Sequence, residues 1–329
     1  MTISIGRISI GYNWGMAKRP VFVMSKEPPF YKEELVEFKW LRGRTLKVAK
    51  ENSRSLRDAA LEKGVHVYEI SRAGEDFSEL SAFKLLVSVA DKCKIPFEVV
   101  YQYAKLWEGE PESVPLNSLP SSEQVVKKSR AAKKEAKERG KDKKLVGFQI
   151  NFGDGVKIDF PNKPEDSFFN WLYIMALRQR CDRNRELHER LLRLIEAHAQ
   201  QPIGFSDIFF APHSKKVIRY NCQARAVAQY LSIYCFRKEK VKEVFPQSTS
   251  LYDIHNRLRH FYDEFVHLVY PLHTESSNPI VPALHSVKSD SSSVKPNNMA
   301  ASKKRKAQSP PDKRDQPSLF ESQYGASPD

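Results

Sequence analysis

Cysteine is scarce. The 329-residue chain has four, Cys93, Cys181, Cys222 and Cys235, and no two stand at metal-ligand spacing. Neither a disulfide framework nor a thiolate metal site is expected, and the thiols read as reduced. Other signatures are missing too. There is no Walker-type phosphate loop, no Gly-rich dinucleotide turn and no His-Glu-x-x-His helix. Nucleotide hydrolases, dehydrogenases and zinc proteases are therefore disfavoured, and no metal or cofactor is expected. No apolar run approaches the ~18 residues that would cross a bilayer. No basic-then-apolar leader precedes a small-residue cleavage site. The expected setting is the cytoplasm.

Positive charge is abundant and unevenly placed. The formal net charge is +14. Residues 121 to 145 hold ten Lys or Arg against four Asp or Glu, and residues 276 to 329 hold eight against five. Such segments find phosphate backbones without reading sequence. Lys127, Lys128, Arg130, Lys133 and Lys134 in the first, and Lys303, Lys304, Arg305 and Lys306 in the second, are the candidate nucleic-acid contacts. DNA is favoured over RNA as partner, with a nucleoid-associated location.

Hydropathy patterning predicts an α+β fold: a helix-rich single domain over residues 17 to 272, with a β-hairpin. Residues 1 to 16 read as a detached extension, and Met16 opens a more ordinary start. Val21 to Met24, Val36 to Trp40 and Val65 to Ile70 read as strands. Residues 50 to 63 suggest a helix capped by Ser53 or Ser55 and stopped by Gly64. A helical stretch is expected at Leu80 to Val89, a turn at Asp91 to Pro96, and a helix from Phe97 to Trp107. Residues 121 to 144 have high helix propensity and almost no apolar stripe, which predicts a solvated, projecting helix.

Phe148 to Phe152 and Val156 to Phe160 alternate on either side of Gly153-Asp154-Gly155, the clearest hairpin signal in the chain. A long helix capped by Asp166 or Ser167 follows, its apolar face marked by Phe168, Trp171, Met175, Leu187, Leu191 and Leu194. Asn221 suggests the cap of a helix to Phe236. Leu251 to Leu268 reads as a last amphipathic helix. From 273 to 329 the composition turns to Ser, Pro, Asn and Lys, and a disordered basic tail is expected.

One segment gathers chemistry. Glu98, Tyr101, Gln102 and Lys105 stand at i, i+3, i+4 and i+7, one face of a helix. A carboxylate can donate or accept a proton at a glycosidic bond. A lysine made neutral by burial can attack a sugar carbon in its open, aldehyde form. An amide and a phenol can hold ribose hydroxyls. The plainer alternative is a surface Glu–Lys pair with Tyr101 filling core.

Leu80-Ser81-Ala82-Phe83, followed by Glu98, Tyr101, Gln102 and Lys105, resembles the NADAR family, whose members carry a Ser-Asn-Phe element and then a Glu-His-x-Tyr-Gln-x-x-Lys helix. Weaker echoes lie at Met175 to Leu192 and after Asn221. The resemblance implies action on N-glycosidic bonds of ADP-ribose-like or nucleotide-like substrates, and a possible ADP-ribosylating toxin as partner, in a toxin–antitoxin or defence setting. It implies Glu98 as acid/base and Lys105 as nucleophile or steadying cation. Ser81, Tyr101 and Gln102 would line the pocket, and Phe83 or Trp107 would stack on a base. Ala82 and Val99 depart from the motif, and no Trp-Gly-x-Gly stretch is found.

In the tail, Gln316-Pro317-Ser318-Leu319-Phe320 resembles the peptide by which bacterial proteins bind the sliding clamp. Gln316 is the polar anchor, and Leu319 and Phe320 are the apolar pair. Two functions follow: an N-glycosidase or ADP-ribosyl hydrolase acting on nucleic-acid bases or nucleotides, or a non-enzymatic DNA-associated factor recruited by basic segments and the clamp-like tail. The enzyme needs Glu98 and Lys105 in one pocket; the binding factor does not.

Overall fold

The computed structural model describes residues 14 to 271 except 44, 91–92, 120–124, 154, 211–212, 215–216, 219–220 and 247–249. Lys303 to Lys306 and Gln316, Leu319 and Phe320 lie outside the described residues. The architecture is α+β.

Strands β1 (Trp14–Met24) and β2 (Tyr31–Leu41) pair along their whole length, from Trp14 opposite Leu41 to Met24 opposite Tyr31. Trp14 to Met16 thus belong to a ladder rather than to a detached extension. Alternation in β1 divides two cores. Val21 and Val23 pack with Val36 and Phe38 against Ala49, Leu56 and Ala60 of helix α1 (Leu46–Leu61). Phe22 and Met24 face the larger core. Helix α1 starts earlier than the serines suggested. The Thr45 hydroxyl accepts the Val48 amide at 3.2 Å, the usual N-cap bond, and Ser53 is buried mid-helix.

Strand β3 (His66–Glu69) lies at the sheet edge. The expected helix at Leu80 to Val89 is absent. A short 3-10 turn, Ser78–Leu80, leads instead into β4 (Leu86–Ala90), which forms a hairpin with β5 (Cys93–Pro96). Val87 and Val89 are buried while their neighbours are half-buried, so a two-residue period won over the helical one.

Helix α2 (Phe97–Tyr103) ends before Lys105, and β6 (Lys105–Trp107) pairs with β7 (Leu145–Gly153). The one-helix reading of residues 97 to 107 is therefore corrected: Lys105 opens a strand. Helix α3 (Val125–Arg139) does not project. Its Ser129, Ala132 and Ala136 are buried and it packs on α2; small side chains let the backbones approach without an obvious apolar stripe. Arg139 fastens its end, donating to Glu110 at 2.8 Å and to the Lys105 carbonyl at 3.2 Å.

The β7–β8 (Val156–Pro161) hairpin appears where alternation placed it. Gly153 and Gly155 adopt φ of +79° and +81°, a region open to glycine. The predicted long helix is two, α4 (Ser167–Arg183) and α5 (Arg185–His198). They divide at Asn184, whose side chain accepts the Leu187 amide at 3.0 Å. Helix α4 is buried on all sides through most of its length and forms the spine of the larger core. Strand β9 (Ile203–Ser206) enters the first sheet, giving the order β2-β1-β9-β3; it runs antiparallel to β1 and parallel to β3. Helices α6 (Gln223–Phe236), α7 (Val241–Val244) and α8 (His255–Val269) complete the body. The N-cap of α6 is Cys222, without a side-chain bond, not Asn221.

Candidate functional site

Glu98 and Gln102 are four apart on α2, and both are buried. Gln102 Nε2 donates to Glu98 Oε1 at 2.8 Å, and Gln102 Oε1 accepts Lys105 Nζ at 2.7 Å. Lys105 therefore joins the face that sequence spacing drew, although it lies on β6. The strand turns its side chain back over α2, with Nζ 5.0 Å from the centroid of the Tyr101 ring. Burial pushes its amine down to about 8, aided by the charges of Lys133 and Arg139 and opposed by that of Glu98. Such an amine is available as a nucleophile near neutral pH. The arrangement is a carboxylate and a depressed lysine held by one amide, not an exposed Glu–Lys pair.

Tyr101 is buried, and its hydroxyl accepts Asn221 Nδ2 at 2.6 Å. Burial pushes the phenol well above its usual value. Tyr101 is thus a neutral wall of the site, with Phe97, Phe148, Phe168 and Phe169 around its ring.

The Ser81–Phe83 element is placed by a second chain of bonds. The Ala82 amide donates to Gln223 Oε1 at 2.7 Å, and Gln223 Nε2 donates to Asp207 Oδ2 at 2.9 Å. Ser81 is buried, and Phe83 is half-buried. Glu69 lies behind, fully inside the protein. It accepts the Ser71 amide at 3.1 Å, the Ile208 amide at 3.0 Å and the Ser206 hydroxyl at 2.7 Å. Burial raises both Glu69 and Asp207, and Asp207 raises Glu69 further. Lys133 links the two halves: its ammonium stands 5.8 Å from the centroid of the Phe83 ring, and its charge acts on both Lys105 and Asp207.

Trp107 is half-buried, and its ring presses on Gly140, where an added Cβ would fall 2.4 Å from it. The ring packs against the residue that follows α3. Lys127, Arg130, Lys133 and Lys134 are exposed along α3, and Lys128 is half-buried. Sequence reasoning missed Asp207, Gln223 and Glu69, and saw Asn221 only as a cap. Their partners are remote in the chain, and no local spacing marks them. Among the described residues no group of three or more His, Cys, Asp or Glu is placed to hold a metal, and no helix is long and apolar enough to cross a membrane.

Residues 17–260 match the family model described as the DarT1-associated NADAR antitoxin. No curated protein matches the chain.

Proposed function

The chain belongs to the DarT1-associated NADAR antitoxin family, and we propose that it hydrolyses the N-glycosidic bond between ADP-ribose and a nucleic-acid base. The observation that supports this reading is the buried Glu98–Gln102–Lys105 chain. Glu98 gives a proton to the ribose ring oxygen, and the ring opens to an iminium at C1. The Lys105 amine adds there. The base leaves with its electron pair and a proton, and an imine to Lys105 remains. Water hydrolyses the imine, frees ADP-ribose and restores the amine, and the proton returns to Glu98. Asn221, Tyr101 and the Ser81–Phe83 element would hold the sugar and base. The partner is an ADP-ribosylating toxin, opposed by reversal of its product. A purely DNA-associated role would leave a buried carboxylate and a desolvated lysine without use.

The nucleophile assignment fixes the pH dependence. Lys105 is protonated below about 8 and neutral above it. The rate at which trinitrobenzenesulfonate arylates Lys105 should rise about tenfold per pH unit up to that value, then level off. A rate still climbing past pH 9 would mark Lys105 as an ordinary cation and remove it as the nucleophile. Borohydride trapping of a protein–sugar adduct at Lys105 tests the imine directly.

Helix α3 would dock the strand. Replacing Lys127, Arg130, Lys133 and Lys134 by Ala keeps helix propensity and removes four cations. Affinity for a labelled single-stranded oligonucleotide should fall, and the slope of log K against log salt should shrink by about 3. An unchanged slope in anisotropy titrations would remove α3 from nucleic-acid contact.

A further inference from the structure

The other unusual charge lies farther along α4. Arg178 is 7% exposed. Among the described residues, no acceptor reaches its Nε or Nη1. A guanidinium taken out of water without a partner is costly, so such groups are paired or hydrogen-bonded. Asp182, one turn on, carries the nearest carboxylate in sequence, and it has an interaction of its own. The positive field of Arg178 acts on the Tyr230 hydroxyl and the Cys181 thiol, both of which burial holds in the neutral form. The charge of Asp182 reaches the Tyr230 hydroxyl and the Cys181 thiol as well, with the opposite sign. The Tyr230 ring lies 6.1 Å from that of Tyr234, which has His188 6.1 Å away and the Lys238 ammonium 5.9 Å away. Nε2 of His188 is also buried without a partner.

We propose that Arg178, with Tyr230 beside it, forms a binding site for a terminal phosphate group, between α4 and α6. The planar guanidinium fork matches two phosphate oxygens, and the Tyr230 hydroxyl supplies a further donor. The site is distinct from the Glu98–Lys105 cluster. Arg178 is ten residues along α4 from Phe168, which touches the Tyr101 ring, roughly 15 Å of helix. A phosphodiester carries chain on both sides and suits a nearly closed site poorly; a free phosphate or a phosphate monoester has one free end.

The test is thermal unfolding of the full chain in inorganic phosphate against chloride at matched ionic strength. A mononucleotide 5′-phosphate and a single-stranded oligonucleotide without a terminal phosphate form parallel arms. Phosphate and the mononucleotide should give a saturable rise in Tm, about 5–10 °C at a hundredfold excess over Kd. Arg178→Met should lose that rise and, without phosphate, melt no lower than wild type, because an uncompensated buried charge has gone. Arg178→Lys keeps the charge and loses the fork, so it should bind at least tenfold more weakly. The exposed Arg193, replaced by Met, controls for net charge and should keep the full rise. No saturable rise beyond chloride, a rise retained in Arg178→Met, or an equal rise with the oligonucleotide alone would each overturn the proposal. None of these readouts depends on glycosidase activity.

Discussion

Glu98→Gln should lower the rate of ADP-ribose release from ADP-ribosylated DNA by about 10²–10⁴-fold, the usual contribution of a positioned acid or base. The substituted amide has the same shape. Its oxygen can still accept from Gln102 Nε2, so the Gln102–Lys105 arm of the chain survives. Binding of the modified oligonucleotide should therefore change little, and the loss should fall on the chemical step. Single-turnover kinetics with saturating protein separate the two. Equal rates for wild type and variant would remove Glu98 from the mechanism; parallel losses of binding and rate would make it a structural residue. Lys105→Met is the companion variant. It should abolish trapping by borohydride while leaving Glu98 with its Gln102 bond.

The second large effect is on stability. Arg225 Nη1 donates to Asp166 Oδ2 at 2.7 Å, with both side chains about nine-tenths buried. Asp166 also accepts Asn170 Nδ2 at 3.0 Å and the Tyr270 hydroxyl at 3.0 Å. Glu33 also stands near Arg225, at 3.9 Å. Asp166→Ala thus leaves a buried guanidinium with a poor substitute and strips two further donors. The expected cost is about 3–5 kcal/mol, seen as a fall in Tm of about 10 °C or more. The double variant Asp166→Leu with Arg225→Met should recover much of the loss, since no charge is then buried. Loss of similar size in the double variant would show that packing, rather than the uncompensated charge, set the cost.

Sequence patterning reached the local features. Alternation at 148 to 160 placed the β7–β8 hairpin, and the four-residue spacing of Glu98 and Gln102 placed both on one helical face. The Lys105 side chain reached that face by a different route, a strand rather than a further turn. Residues 80 to 89 misled because Leu85 and Val89, four apart, mimic a helical period, whereas Val87 and Val89 pack as strand residues in a hairpin. Helix α3 was read as projecting because alanines serve a solvated helix and a closely packed one equally well. Asp207 was invisible for another reason: its meaning depends on Gln223 and on Ala82, the latter 125 positions earlier in the chain.

The parallel pairing of β3 with β9 sets the timing of assembly. Glu69 lies opposite Ser206, and their side chains bond across a sequence separation of 137 residues. The Glu98–Lys105 cluster is held by contacts within about fifty residues, through β6, β7 and α3. The Asp207 side waits for a loop almost three times as long, which is slow to close. During synthesis, a chain halted before β9 carries α2, β6, β7 and α3 and still lacks the strand that leads to Asp207. The Ser206–Glu69 and Asp207–Gln223 bonds await the entry of β9 between β1 and β3.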